Sequence, residues 1–285
     1  MGINVNNLRF LVRARMRGAD YARTIMLGRQ RLHLGWRQFS DVLGREFGLR
    51  LDPAAVRAAY DQGNAEALFE LLGAQTVHSL DFSDFEGATH LADLNRPLPA
   101  ELHGRYTAVI DGGTLEHVFH FPAAIESCMR LLEVGGHFVG LTMANNYMGH
   151  GFYQFSPELF HRVFSPANGF TVVEMYLHEG REARVWRRAL DSDTVGRRII
   201  LRNTRPTGLL VLAKRTHEVE PFATAPQQSF YESYWEGKVE TRSPLVRRIR
   251  GALPPVLRRL ASRVQEARLK RVLLASEDPA SVAAE

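Results

Sequence analysis

Three aspartates each follow a strand-like segment of this 285-residue chain. Thr76–Leu80 leads to Asp81, residues 88–92 lead to Asp93, and residues 106–110 lead to Asp111. If the segments are neighbouring parallel strands, their carboxyl ends meet in one crevice, where ligands of open α/β sheets bind. Carboxylates there accept hydrogen bonds from ligand hydroxyls and amines. The alternative is that aspartate is simply common in turns.

The histidines His117 and His150 are the candidate proton acceptors. His117 follows the strand that ends at Asp111, and His150 lies in a loop with two glycines, two asparagines and several aromatic residues. An imidazole titrates near neutral pH and suits general-base catalysis. Tyr153 in the same loop is a further candidate. His117 could equally cap or pack the next helix. The loop with His150 could instead be structural, with Phe152 and Phe155 as a hydrophobic staple onto a helix over 156–164 and Ser156 as the cap of that helix.

Other site types lack support in the sequence. We find no His-x-x-x-His, His-Glu-x-x-His, phosphate-binding or nucleophile-elbow pattern, and we therefore assign no metal ligands. The single cysteine, Cys128, excludes an intramolecular disulfide and is expected to be buried and inert.

Strands and helices alternate along the chain and predict an α/β fold. We expect a Rossmann-like, doubly wound, mostly parallel seven-stranded sheet over 22–216, with helices on both faces. The predicted strands are residues 22–27, 76–80, 88–92, 106–110, 137–142, 170–177 and 209–213. A basic N-terminal helical segment, 1–21, precedes this domain, and a C-terminal extension, 217–285, follows it.

The segment from Tyr106 to Val139 resembles the central part of class I S-adenosylmethionine (SAM)-dependent methyltransferases. The shared features are a strand ending at Asp111, then Leu-Glu-His-Val at 115–118, a helix, and a Leu-x-x-Gly-Gly turn at 132–136. The resemblance implies SAM as cofactor. It places Asp81 at the ribose hydroxyls and Asp93-Leu94 at the adenine amine, with Asp111, Gly112 and Glu116 alongside.

The loop after the first strand departs from that family. In place of Gly-x-Gly-x-Gly it reads Gly28-Arg29-Gln30-Arg31-Leu32, so only Gly28 stands where a family glycine is expected. Arg29 and Gln30 either replace the missing glycines as cofactor ligands or fill the place of the cofactor. Arg29 and Arg31 could also simply be solvated.

The chain has a net charge of +5, with arginines concentrated near its two ends. Residues 245–274 form a predicted basic amphipathic helix. It could lie on an anionic membrane surface or hold a lipid-linked acceptor, or it could dock on the domain with its arginines solvated. No aromatic-basic interleaving indicates nucleic-acid binding. No apolar stretch is long enough to span a bilayer, and we expect a cytoplasmic protein, with the inner membrane surface as an alternative location.

The sequence thus predicts a methyltransferase acting on a small molecule or glycan, at oxygen. The alternative is a methyltransferase-like scaffold that has lost SAM.

Overall fold

A computed structural model describes residues 2–195, 199, 201–229, 231, 235, 254 and 276–279. The predicted basic helix at 245–274 lies outside the described residues, apart from position 254. The strands are β1 (Gly2–Ile3), β2 (Arg23–Leu27), β3 (Arg31–Leu32), β4 (Thr76–Asp81), β5 (His90–Leu91), β6 (Tyr106–Asp111), β7 (Leu132–Asn145), β8 (Phe170–Glu179), β9 (Trp186–Arg188), β10 (Thr207–Arg215) and β11 (Ser276–Glu277).

The α-helices are α1 (Val5–Met16), α2 (Trp36–Asp41), α3 (Pro53–Asp61), α4 (Glu66–Leu71), α5 (Phe121–Leu131), α6 (Pro157–Val163) and α7 (Ser192–Val195). A π-helical stretch, Val42–Glu46, continues α2, and 3₁₀ turns cover Ala100–Leu102, Leu115–His117 and Pro166–Asn168. Local capping explains several starts. The Asp52 carboxylate accepts from the Ala54 and Ala55 amides, and Pro53 opens α3.

One sheet has the order β11-β9-β8-β10-β7-β6-β2-β4-β5. Strands β5, β4, β2, β6 and β7 are parallel to one another, and β10 is antiparallel to both β7 and β8. The seven predicted strands are all present, and β9 and β11 extend the β8 edge. The predicted doubly wound fold is therefore confirmed. Among the described residues this sheet has nine strands instead of seven, and four of its eight strand pairings are parallel.

Helices cover both faces of the sheet, as predicted. One core contains Ile125 of α5 and Phe160 of α6, and the other contains Leu8 of α1 and Phe39 of α2. All six residues of β6 are buried, which is the pattern of a central parallel strand covered on both faces. Strand order reverses between β2 and β6, because the chain first moves outward from β2 to β4 and β5 and then returns. This switch point is where α/β sheets of this type bind ligands.

The N-terminal helix α1 belongs to the folded core. Arg13 is 1% exposed, and its guanidinium donates to Glu174 of β8 at 2.8 Å (Nε–Oε2) and 3.0 Å (Nη2–Oε1). Arg17 donates to the same carboxylate at 2.7 Å. The sequence pattern suggested that the N-terminal arginines form a basic appendage, whereas Arg13 is a buried ion-pair partner that joins α1 to the sheet.

Candidate active site

The strand register places the predicted residues at one edge of the sheet. Leu27 is level with Leu80 on one side and with Asp111 on the other. Gly28 therefore lies between the ends of β4 and β6, with Asp81 one residue beyond Leu80. Asp93 follows β5 on the far side of β4. The expectation that these strand ends meet at one edge is met by the observed pairing.

The loop after β2 is held in an extended path. Gly28 has φ +67° and donates to the Leu80 carbonyl at 2.8 Å, a conformation that favours glycine. The chain then runs through β3, which pairs in parallel with β1, and Ala65 donates to the Gln30 carbonyl at 2.9 Å. The loop is thus fixed on two sides, by the N-terminal strand and by the start of α4.

Arg29 is turned toward α4 and the loop after β4. Its Nε donates to Glu66 at 2.6 Å, and its Nη1 donates to the Glu86 carbonyl at 3.0 Å. The side chain is 33% exposed. These contacts show that Arg29 ties two neighbouring segments to the loop and is not simply solvated.

Gln30 is fully buried at the switch point. Its Nε2 donates to the carbonyls of Leu27 at 2.7 Å and Gly28 at 3.3 Å. Its Oε1 has no hydrogen-bond partner. A Cβ added at Gly112 would stand only 2.3 Å from this oxygen. The glycine at position 112 is therefore what makes room for the Gln30 amide.

Asp111 and Glu116 form a pair of buried carboxyl groups. Asp111 Oδ1 accepts from Thr114 at 2.8 Å and Leu115 at 3.3 Å, and Glu116 Oε2 accepts from the Thr142 hydroxyl at 2.9 Å. Burial, and then the neighbouring Glu116, raise the pKa of Asp111 to about 7. Burial also raises the pKa of Glu116. Asp111 Oδ2 and Glu116 Oε1 have no hydrogen-bond partner.

The other predicted cofactor ligands are also placed. Asp81 Oδ1 caps the Phe82 amide at 2.7 Å. Asp93 Oδ1 accepts from the Asn95 side chain at 2.8 Å and its backbone amide at 2.9 Å, and these bonds, with the nearby Arg96, lower the pKa of Asp93. Leu94 is 6% exposed and packs in the core that contains α5. Asp93 therefore shapes a turn, as the alternative interpretation proposed, at the same sheet edge as Asp81.

The two candidate histidines come together above Glu116. Their ring centroids are 5.2 Å apart, and ligating atoms of Glu116, His117 and His150 all lie within 4.8 Å of one another. Burial, and then the His150 ring, lower the pKa of His117. The third candidate, Tyr153, donates its hydroxyl to the Phe119 carbonyl at 2.6 Å. The sequence search assigned no metal ligands because it looked for closely spaced histidines. The better signal was that Glu116-His117 and His150 follow adjacent strands, β6 and β7.

The loop that carries His150 is docked on Glu116. The amides of Phe152 and Tyr153 donate to the Glu116 carbonyl at 2.8 and 3.2 Å. A Cβ at Gly151 would stand 2.7 Å from that same carbonyl oxygen. Close approach at Gly151 is thus what brings His150 beside His117.

A cavity of about 790 Å³ lies at the same sheet edge. Its walls include Ala144, Gln154, Leu177, Glu179, Arg187 and Thr207. Ala144 follows Thr142, which donates to Glu116, by two residues on β7, but Glu116, His117 and His150 are not among the residues that line the cavity. Sequence reasoning placed the loop at 145–157 here but did not anticipate the walls contributed by 182–205.

The buried oxygens at this edge of the sheet indicate whether the site is suited to SAM. Gln30 Oε1, Asp111 Oδ2 and Glu116 Oε1 are unpartnered acceptors grouped around Gly112 and Gly113. Unpaired buried acceptors are costly, and a cationic ligand with N–H donors would satisfy them. The ammonium and sulfonium charges of SAM match this set. The Gln30 side chain, however, also occupies the space beside Gly112.

No family model and no curated protein sequence matches the chain. Similarity is found among solved structures. A 1,6-didemethyltoxoflavin-N1-methyltransferase from Burkholderia thailandensis is 12% identical, with a TM-score of 0.39 over 75% of this chain and 79% of its own. A branched-chain polyamine synthase from Thermus thermophilus is 15% identical, with a TM-score of 0.37 over 76% of this chain and 58% of its own. TehB from Haemophilus influenzae is 16% identical, with a TM-score of 0.35 over 62% of this chain and 67% of its own.

Among the described residues, no helix is both long and apolar enough to cross a membrane.

Proposed function

We propose that this chain is a SAM-dependent methyltransferase that modifies a small molecule or glycan at an oxygen atom. The observation that carries the proposal is the set of three buried, unpartnered oxygens at the topological switch point, on Gln30, Asp111 and Glu116. They form an acceptor-rich place with two carboxyl groups whose ionised forms a cationic cofactor would stabilise. Asp81, at the end of the adjacent strand, is suited to the ribose hydroxyls, and Asp93-Leu94 lie further along the edge toward the adenine.

When bound, the cofactor supplies an electrophilic methyl group on a sulfonium. The chain's own contribution is orientation and proton removal. His117 and His150 are adjacent at the mouth of the site. The lowered pKa of His117 keeps it in the neutral form that can take a proton from an acceptor hydroxyl. Tyr153 holds the loop through its bond to Phe119.

The cavity at this edge of the sheet suits the acceptor. A volume of about 790 Å³ is within the range of small-molecule sites. Its walls carry both Glu179 and Arg187, and also apolar side chains such as Leu177. A polar acceptor with an apolar part, or a sugar unit, would match this mixture.

One observation favours a second function, a methyltransferase-like scaffold without cofactor. The Gln30 amide fills the space above Gly112 and is held there by the Leu27 and Gly28 carbonyls. If this amide does not move, the methionine part of SAM has less room. The chain would then use the fold for binding partners.

Titration of the full chain with SAM and S-adenosylhomocysteine by calorimetry tests both functions. We expect binding by the wild type, loss of at least tenfold in affinity for Asp81→Asn, and no change for the matched control Asp84→Asn, which is exposed beyond β4. Absence of heat at millimolar ligand would overturn the catalytic proposal. Binding that appears only in Gln30→Gly would instead support the scaffold.

A further inference from the structure

The carboxylate–histidine group has the donor set of a metal site. One carboxylate oxygen of Glu116 and one nitrogen from each of His117 and His150 lie within 4.8 Å of one another. Ligands about 2.0–2.1 Å from a tetrahedral ion are separated by about 3.4 Å. Both imidazoles are exposed, so small side-chain rotations would close the remaining distance without disturbing the core.

The carboxylate is prepared for a ligand. Glu116 is fully buried, and Thr142 holds Oε2 at 2.9 Å, which fixes the side chain and leaves Oε1 without a partner. A second-shell hydrogen bond of this kind orients metal-binding carboxylates. Glu116 is therefore an anchored donor at the bottom of the group, with the two imidazoles above it.

The backbone also fixes where the two histidines stand. His117 belongs to the 3₁₀ turn Leu115–His117, and His150 is carried by the loop that Phe152 and Tyr153 bind to the Glu116 carbonyl. Two ligands thus come from the end of β6 and the third from the loop after β7. Such convergence of side chains from separate segments does not arise from local sequence.

We propose that Glu116, His117 and His150 bind a first-row divalent metal ion, with zinc as the best match. Two imidazoles and one carboxylate are the ligands of open zinc sites and of related transition-metal sites, whereas magnesium and calcium prefer oxygen ligands. Three protein ligands leave the remaining coordination positions open to water or a substrate. A hydroxyl bound there would lose its proton more readily, so in the metal-bound form the ion replaces the free His117 imidazole as the group that promotes proton loss.

This proposal goes beyond methyl transfer and does not depend on it, because metal binding is measured without cofactor or acceptor. The full chain, stripped of metal with a chelator, is titrated with Co²⁺ and followed by its visible d–d absorption, then with Zn²⁺ in competition. We expect one equivalent of Co²⁺ to bind and Zn²⁺ to displace it. His117→Ala and His150→Ala, both at exposed positions, should each weaken binding by more than tenfold. The control His217→Ala, an exposed histidine elsewhere, should not change it.

The outcomes separate this proposal from the methyltransferase assignment. The metal site would be overturned if the wild-type chain showed no cobalt absorption. It would also be overturned if His117→Ala and His150→Ala bound cobalt as tightly as the wild type. S-adenosylhomocysteine titration of the same two variants, without added metal, is expected to match wild type, since His117 and His150 are not among the residues assigned to the cofactor. Loss of nucleoside binding with intact cobalt binding would count against the cofactor and leave the metal site standing.

Discussion

The amide of Gln30 lies against the α-carbon of Gly112, so that a Cβ at position 112 would stand 2.3 Å from Gln30 Oε1 and 2.9 Å from Nε2. These two residues belong to the loops that follow β2 and β6, the two strands at the switch point. Their contact decides how much space remains between those loops.

We predict that Gly112→Ala destabilises the chain by about 1–3 kcal/mol, because the new methyl group must displace a buried, hydrogen-bonded amide. Gln30→Ala should cost about 1–2 kcal/mol through lost hydrogen bonds. The double variant should be more stable than the sum of the two costs implies, by about 1 kcal/mol or more. Urea unfolding of all four proteins measures this coupling. Strict additivity would show that the two side chains do not compete for the same space.

We predict that Gly151→Ala separates His150 from His117, because its Cβ would meet the rigid Glu116 carbonyl at 2.7 Å. Cobalt affinity should fall more than tenfold, and the free energy of unfolding should fall by about 1–3 kcal/mol. Gly149→Ala is the matched control. Its Cβ meets nothing within 4 Å, and it bears only the strain of a φ of +82°. Equal cobalt affinity in the two variants would show that the loop contact does not position the histidines.

We predict that Arg13→Met destabilises the chain by about 3–5 kcal/mol, because it leaves the buried Glu174 carboxylate without its main partner. Glu174 is 4% exposed. Arg17→Met removes a neighbouring guanidinium that binds the same carboxylate but is 28% exposed, and it should cost about 1 kcal/mol or less. Thermal or urea unfolding compares the two. A similar cost for both would mean that burial does not distinguish them.

We predict a pH-dependent stability from His178, which is 7% exposed and has Nδ1 at 3.1 Å from the Asn6 amide nitrogen. Burial lowers its pKa to about 4. The unfolded chain therefore binds a proton near pH 6.5, before the folded chain does, and the contribution of this group to stability is lost as pH falls from about 6.5 to 4. The loss is roughly 1.4 kcal/mol per pH unit. The free energy of unfolding is measured at several pH values, and its slope against pH should be reduced by about this amount in His178→Gln and unchanged in His217→Ala. An equal reduction in both variants would show that the slope does not come from His178.

The strand ends could be predicted because apolar runs with a closing carboxylate are local signals. Asp81 and Asp111 required only the strand positions and the parallel arrangement to be placed beside Gly28. Local patterns also mark helix starts, because Asp52 and Ser156 are capping residue types followed by proline, and they cap the helices that begin at Pro53 and Pro157.

The fate of the loop after β2 could not be predicted from the sequence. Gln30 is polar, and its burial depends on a glycine far along the chain, at position 112. Arg29 likewise finds its partners on α4 and after β4. The burial of Arg13 could not be predicted either, because its partner Glu174 is 161 residues away in the sequence, on β8. The sequence shows that a side chain is charged, but the tertiary fold determines which partner it contacts.

The long strand β7 outreaches its neighbour β6. Their pairing stops where Asp111 meets Gly140, whereas β7 continues to Asn145 with β10 beside it. About five residues, roughly 16 Å, therefore overhang the end of β6. Along this overhang the Phe155 amide donates to the Met143 carbonyl at 2.8 Å, so the loop with His150 also covers a strand edge. Lifting that loop would bare main-chain groups that another chain can pair with. The loop that brings His150 to the site thus also keeps this strand edge covered.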